Sequence, residues 1–215
     1  MSLMATASFS APSSIGPTGI LNVPTAEAVT AGSFEMMLAY DRPKVANTEL
    51  EVFPVATLGY GLAHGEIGIS YFNVKDYTAV KSVNAKYVFK HESEKSPSIA
   101  AGVIYLNGNT AETDLYLVAS SKLGQDDNFR ATAGLLYQKP SYSASSSNLT
   151  GMVGIELGAQ GGATIGFDYV FDDIAAGKTF GATVRQPISP NLTWQVGMGT
   201  GPRYFIGMTT KFGGK

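Results

Sequence analysis

The chain has 215 residues, of which 44% are hydrophobic and 15% charged, against about 25% charged in ordinary soluble domains. A net charge of −2 leaves no basic stripe for nucleic acid, and the absence of cysteine excludes disulfides and thiolate metal sites. No run reaches the roughly 18 consecutive apolar residues of a membrane-spanning helix, so any crossing of a bilayer must use strands.

Met1-Ser2-Leu3-Met4 lacks the basic start and apolar core of a signal peptide, and Met1 to Leu3 are read as an addition ahead of a processed N-terminus. The plain alternative is a protein that stays in the cytoplasm. Ala5 to Ser14 is small and polar, expected to be draped or poorly ordered. Gly16 to Gly32 comes next, where Pro24 suits the first turn of a short helix, Glu27 its N-terminal dipole and Gly32 its end. Residues 33–215 form the main domain. Residues 1–32 are a lead-in that either plugs the interior of that domain or is a simple loop.

Strands are expected near 33–41, 49–60, 65–73, 77–90, 97–107, 112–123, 128–138, 148–158, 162–172, 177–187, 191–199 and 203–213, separated by Gly, Asn and Pro turns. The alternation is clearest from Thr150 to Phe171. Val153, Ile155, Leu157, Ile165, Phe167 and Tyr169 take one face, and Gly154, Glu156, Thr164, Gly166 and Asp168 the other. A soluble sandwich would carry Lys and Glu on its polar face. Here that face is mostly Gly, Thr and Ser, and Tyr40, Tyr71, Phe89, Tyr105, Tyr137 and Phe171 close their strands. This is the pattern of an all-β, up-and-down antiparallel transmembrane barrel of about twelve strands, apolar outside and polar within, with aromatic girdles. Ser98 to Leu106 departs from it by being apolar on both faces.

Three segments carry a resemblance. Gly16-x-Thr18-Gly19-Ile20-x-x-x-Pro24-Thr25-Ala26, followed by Gly32-x-Phe34, resembles the lead-in of the YjbH-like outer-membrane proteins associated with exopolysaccharide export. Tyr60 to Tyr71 is similar to the turn-then-strand phrase of many outer-membrane barrels, with Ala63-His64 where Thr-Asp is usual. Pro190 to Gly197 and Tyr204 to Phe212 resemble a final barrel hairpin. The resemblance implies a bacterial outer-membrane location, and a polysaccharide or small solute as partner, without assigning an activity.

Chemistry is scarce. His64 and His91 fall in turns, no metal-ligand spacing or phosphate-cradling loop occurs, and neither enzyme activity nor a cofactor is expected. The notable constellation is Glu156, Asp168 and Arg185, on inward parity of neighbouring strands and joined by Lys86 and Lys211. A charge facing lipid at mid-depth costs about 2–4 kcal/mol for Arg, so these five are expected to line a lumen. They either set ion selectivity or form a structural ion-pair lattice. Gly16, Thr18, Gly19, Pro24, Thr25 and Ala26 are the residues expected to run inside it. The expected function is a small pore or export-associated channel. Its rivals are a non-conducting structural barrel and a soluble all-β binding barrel.

Overall fold

The computed structural model describes residues 11–45, 48–93, 96–109, 111–123, 128–141, 147–174, 177–201 and 203–213. Its strands are β1 (Ser33–Asp41), β2 (Lys44–Val45), β3 (Thr48–Glu49), β4 (Val52–Leu62), β5 (Gly65–Val74), β6 (Val80–Lys90) and β7 (Ser98–Asn107). They continue as β8 (Ala111–Lys122), β9 (Phe129–Pro140), β10 (Asn148–Gly158), β11 (Thr164–Asp173), β12 (Gly177–Ser189), β13 (Leu192–Gly199) and β14 (Arg203–Gly213). All but β2 and β3 join one antiparallel sheet. It closes where β1 pairs with both β14 and β4, giving a barrel of twelve strands. Closure leaves no unpaired edge, which a sheet in lipid requires.

Alternation decides which face is which. Along β1, Ser33, Glu35, Met37 and Ala39 are buried, while Phe34, Met36 and Leu38 are exposed. The same rule leaves Ile69 and Val83 more than half exposed, at 56% and 58%. Phe167, Val184 and Leu117 also stand on this outer face. A continuous apolar belt of this extent suits hydrocarbon and not water. Aromatic pairs stand toward its two ends, Phe34–Tyr60 and Tyr87–Phe89 toward one and Tyr169–Phe171 toward the other.

Details differ from the sequence expectation. The strand expected to begin at residue 49 is split: a two-residue hairpin, β2–β3, precedes β4, and a register shift between Val52 and Val55 spans Pro54, which has no N–H for a ladder. A second shift, between Val88 and Lys90, leaves Lys90 exposed, although alternation from inward Lys86 would turn it toward the interior. No helix forms from Pro24 to Gly32. Backbone N–H groups there are committed to wall side chains, with Ala26 donating to Ser120 and Val29 to Glu66, so no helical ladder can use them. Of the stretch expected to be draped, residues 5–10 lie outside the described residues, and Ala11 to Ser14 are buried.

The interior is a packed core, not a water-filled tube. One apolar cluster gathers Ile104, Tyr116, Val118 and Met152 around Val23 and Ala26. Another gathers Met37, Val55 and Phe205 around Leu21. The two-faced apolar stretch in β7 is thereby explained, because Ala100 and Ile104 belong to the inner core.

Candidate functional site

Residues 11–31 fold back on themselves inside the barrel. Single bridges tie Pro12 to Thr18 and Gly19 to Pro24. Within the segment, Ser14 N donates to Leu21 O at 2.9 Å and Thr25 N to Thr18 O at 3.1 Å. Gly16 adopts φ +116°, and a Cβ there would press on Ser70 and Asn84 of the wall. Ile20, Leu21, Val23 and Ala26 have no solvent exposure.

The wall grips this segment at two opposite places. On β11 and β12, Asp168 Oδ2 accepts the backbone N–H groups of Leu21 (2.8 Å), Asn22 (2.6 Å) and Val23 (3.2 Å), and Oδ1 accepts Asn22 Nδ2 at 2.8 Å. Three successive N–H groups converging on one carboxylate form an anion nest. Arg185 does the complementary work, donating to the carbonyls of Gly19 and Ile20 while pairing with Glu156 at 2.8 Å. Ile20 fills a notch of two glycines: a Cβ at Gly166 would stand 2.7 Å from its Cγ2, and one at Gly154 would overlap its Cδ1.

On β5 and β6, Glu66 accepts Thr18 N at 2.8 Å, Thr18 Oγ1 at 2.5 Å and Val29 N at 2.8 Å. Lys86 donates to Thr18 O (2.9 Å) and Glu27 O (2.7 Å) and pairs with Glu66 at 3.1 Å. Ser120 on β8 accepts Ala26 N at 2.9 Å. Toward the end where β1 finishes, Arg203 is held by both Asp41 oxygens, at 3.0 and 2.7 Å, and donates to Asn22. Toward the end where β1 begins, Arg130 lies between Glu27 and Glu92.

Among the residues singled out from sequence, Glu156 and Arg185 form one ion pair, whereas Asp168 faces the segment instead of Arg185. Lys86 pairs with Glu66, and Lys211 pairs with Glu35 at 2.8 Å. Within the segment, Thr18 meets Glu66, the Gly19 carbonyl meets Arg185, Pro24 bridges Gly19, and Ala26 meets Ser120. Thr25 is fully buried. Sequence reasoning passed over Glu66, Asn22, Ser120, Asp41 and Arg203. Parity could have found Glu66 and Arg203, because Ile67, Ile69, Tyr204 and Ile206 mark the opposite, outer face. The ring centroids of His64 and His91 lie 5.9 Å apart in neighbouring turns, and among the described residues no group of three potential metal ligands occurs.

A family model described as "Exopolysaccharide biosynthesis protein YbjH" matches residues 11–193. The chain belongs to the YjbH family. No curated protein sequence matches it significantly. Among solved structures it is similar to the KdgM porin, with TM-score 0.67 at 14% identity over 83% of this chain and 99% of the porin. The same porin in complex with disordered oligogalacturonate gives 0.65 at 15% identity, over 84% and 99%. The COG4313 outer membrane channel from Pseudomonas putida F1 gives 0.60 at 13% identity, over 89% and 100%. At these identities the likeness is one of fold. With the apolar belt, it makes this YjbH-family chain a barrel of the bacterial outer-membrane type.

Proposed function

We propose that this YjbH-family chain is an outer-membrane barrel serving exopolysaccharide export, and that residues 11–31 act as its plug. In this arrangement the lumen is shut, and passage of a polysaccharide or a small solute requires the plug to withdraw. The observation that carries the reading is the pair of opposed grips, Asp168 with Arg185 and Glu66 with Lys86, each combining a carboxylate on backbone N–H groups with a cation on backbone carbonyls. Buried backbone donors and acceptors must be satisfied, and here wall charges satisfy those of the segment. Glu156, Asp168, Arg185, Lys86 and Lys211 then hold or flank the plug in the shut state and would line the pore once it leaves.

Planar-bilayer recording tests this. The full chain should be silent, and deletion of residues 11–31 should open steady unit currents. Joining Ala26→Cys to Ser120→Cys with a short cross-linker should abolish any residual openings of the full chain. Equal steady conductance with and without the segment would mean an ordinary open pore. Silence of both, in barrels that have folded, would mean a structural barrel that does not conduct.

A further inference from the structure

The two mouths of the barrel differ in chemistry. Where β1 begins, a cavity of about 310 Å³ sets Glu27, His91, Glu92 and Arg130 among small and apolar residues such as Ala28, Ala31 and Ala63. At the opposite mouth, a cavity of about 280 Å³ has a wall made by Val52, Val55, Phe72, Val74, Val80 and Leu106. These six project inward from β4, β5, β6 and β7, where an aqueous lumen would call for polar side chains. Deeper along the same strands Thr57, Ser70, Ser82 and Gly102 are polar or small, while Ile104 carries the apolar face into the core. Ile15 of the folded-back segment lies on the cavity's inner side. Also lining it are Ser14, Asn22, Thr179, Thr200 and the carboxylate of Asp173, with Arg203 already held by Asp41.

We infer that this mouth is a binding site for an amphipath with one linear apolar chain and a neutral, hydroxyl-bearing head. Apolar cavities are poor hosts for water and good hosts for hydrocarbon. A cavity of about 280 Å³ has room for a single short chain. The head is set by the facing side. Hydroxyls, a side-chain amide and the Asp173 carboxylate suit the hydroxyl groups of an uncharged polyhydroxyl head, and among the described residues the lining carries two carboxylates to one cation, which disfavours an anion. A sugar carrying a single alkyl or acyl chain has this chemistry. The site lies on one side of residues 11–31, so the inference stands whether or not the barrel conducts.

The test is photolabelling of the full chain in nanodiscs with an alkyl glucoside whose chain ends in a diazirine, and mapping of labelled residues by mass spectrometry. Labelling at Phe72, Val80 and Leu106 should saturate, and excess unlabelled alkyl glucoside should compete it away. Val80→Trp, which fills the cavity, should lower it by about tenfold or more. Outward-facing Leu117 reports bulk lipid and should label equally throughout. Labelling at Phe72 and Val80 that neither saturates nor responds to competitor would overturn the site, and the competition reads this out even if Val80→Trp fails to fold. A several-fold rise in labelling on removing residues 1–10 would show that the chain's own N-terminus is the occupant, and would equally defeat the inference. Competition by an alkyl carboxylate and not by the glucoside would refute the neutral head.

Discussion

The grip on β5 and β6 and the grip on β11 and β12 stand six strands apart in a ring of twelve, on opposite walls, and use the same parts. They differ in what would remain if the segment left. Glu66 would keep Lys86 at 3.1 Å, an ion pair complete within the wall. Asp168 would lose all four hydrogen bonds it accepts from Leu21, Asn22 and Val23, while Arg185 kept Glu156. Water entering the lumen would have to replace all four donors of Asp168, whereas Glu66 keeps a cation beside it. The β11 side therefore favours the filled lumen more strongly, and the β5 side is better suited to letting go first.

The largest effect should come from Arg185→Ala, which strands buried Glu156 and frees the carbonyls of Gly19 and Ile20. A loss of about 3–5 kcal/mol is expected for a broken buried pair, read from urea unfolding in lipid vesicles. Next comes Asp168→Ala, at about 3 kcal/mol, because three backbone N–H groups lose their acceptor. It should also sensitise residues 20–23 to hydrogen exchange. Glu66→Gln also breaks a buried pair, with Lys86, and should cost about 3 kcal/mol, yet it should expose the segment less, because the amide oxygen still accepts from Thr18. If Glu66→Gln exposed the segment as much as Asp168→Ala, the two grips would be equivalent and the asymmetry would fail. Two further variants separate wall from plug. Phe167→Lys, on the outer face of β11 beside Asp168, should cost about 2 kcal/mol at mid-depth in lipid. It should leave exchange of residues 20–23 unchanged. Gly166→Ala should cost about 1–2 kcal/mol by crowding Ile20 and Thr183. Ile20→Ala should relieve the Ile20 part of that crowding in the double variant, and no relief would mean that Ile20 does not occupy the notch in the folded protein.

The alternation from Thr150 to Phe171 was legible in full. Outer Phe167 and inner Gly166 and Asp168 follow from a period of two, because a pleated strand has two faces and lipid tolerates little charge. Turn glycines placed the strand ends within a few residues, except around Pro54, where a bulge resets the register. The segment before β1 was harder to read. Pro24, Glu27 and Gly32 spell a helix by local preference, yet wall side chains claim its N–H groups instead.

By itself, then, the sequence determined an even-stranded barrel with a greasy outside and a small, sparsely charged inside, because those features rest on local periodicity. The partners of the inner charges were a different matter. Glu156, Asp168 and Arg185 share an inward parity on neighbouring strands, which left a selectivity cluster and an ion-pair lattice both open. Register sets Arg185 opposite Thr164 and Asp168 opposite Gly181, so Arg185 reaches Glu156 while Asp168 meets chain from about 145 residues earlier. Strand period fixes the face a side chain points to. Only closure of the ring and threading of its interior decide what it meets there.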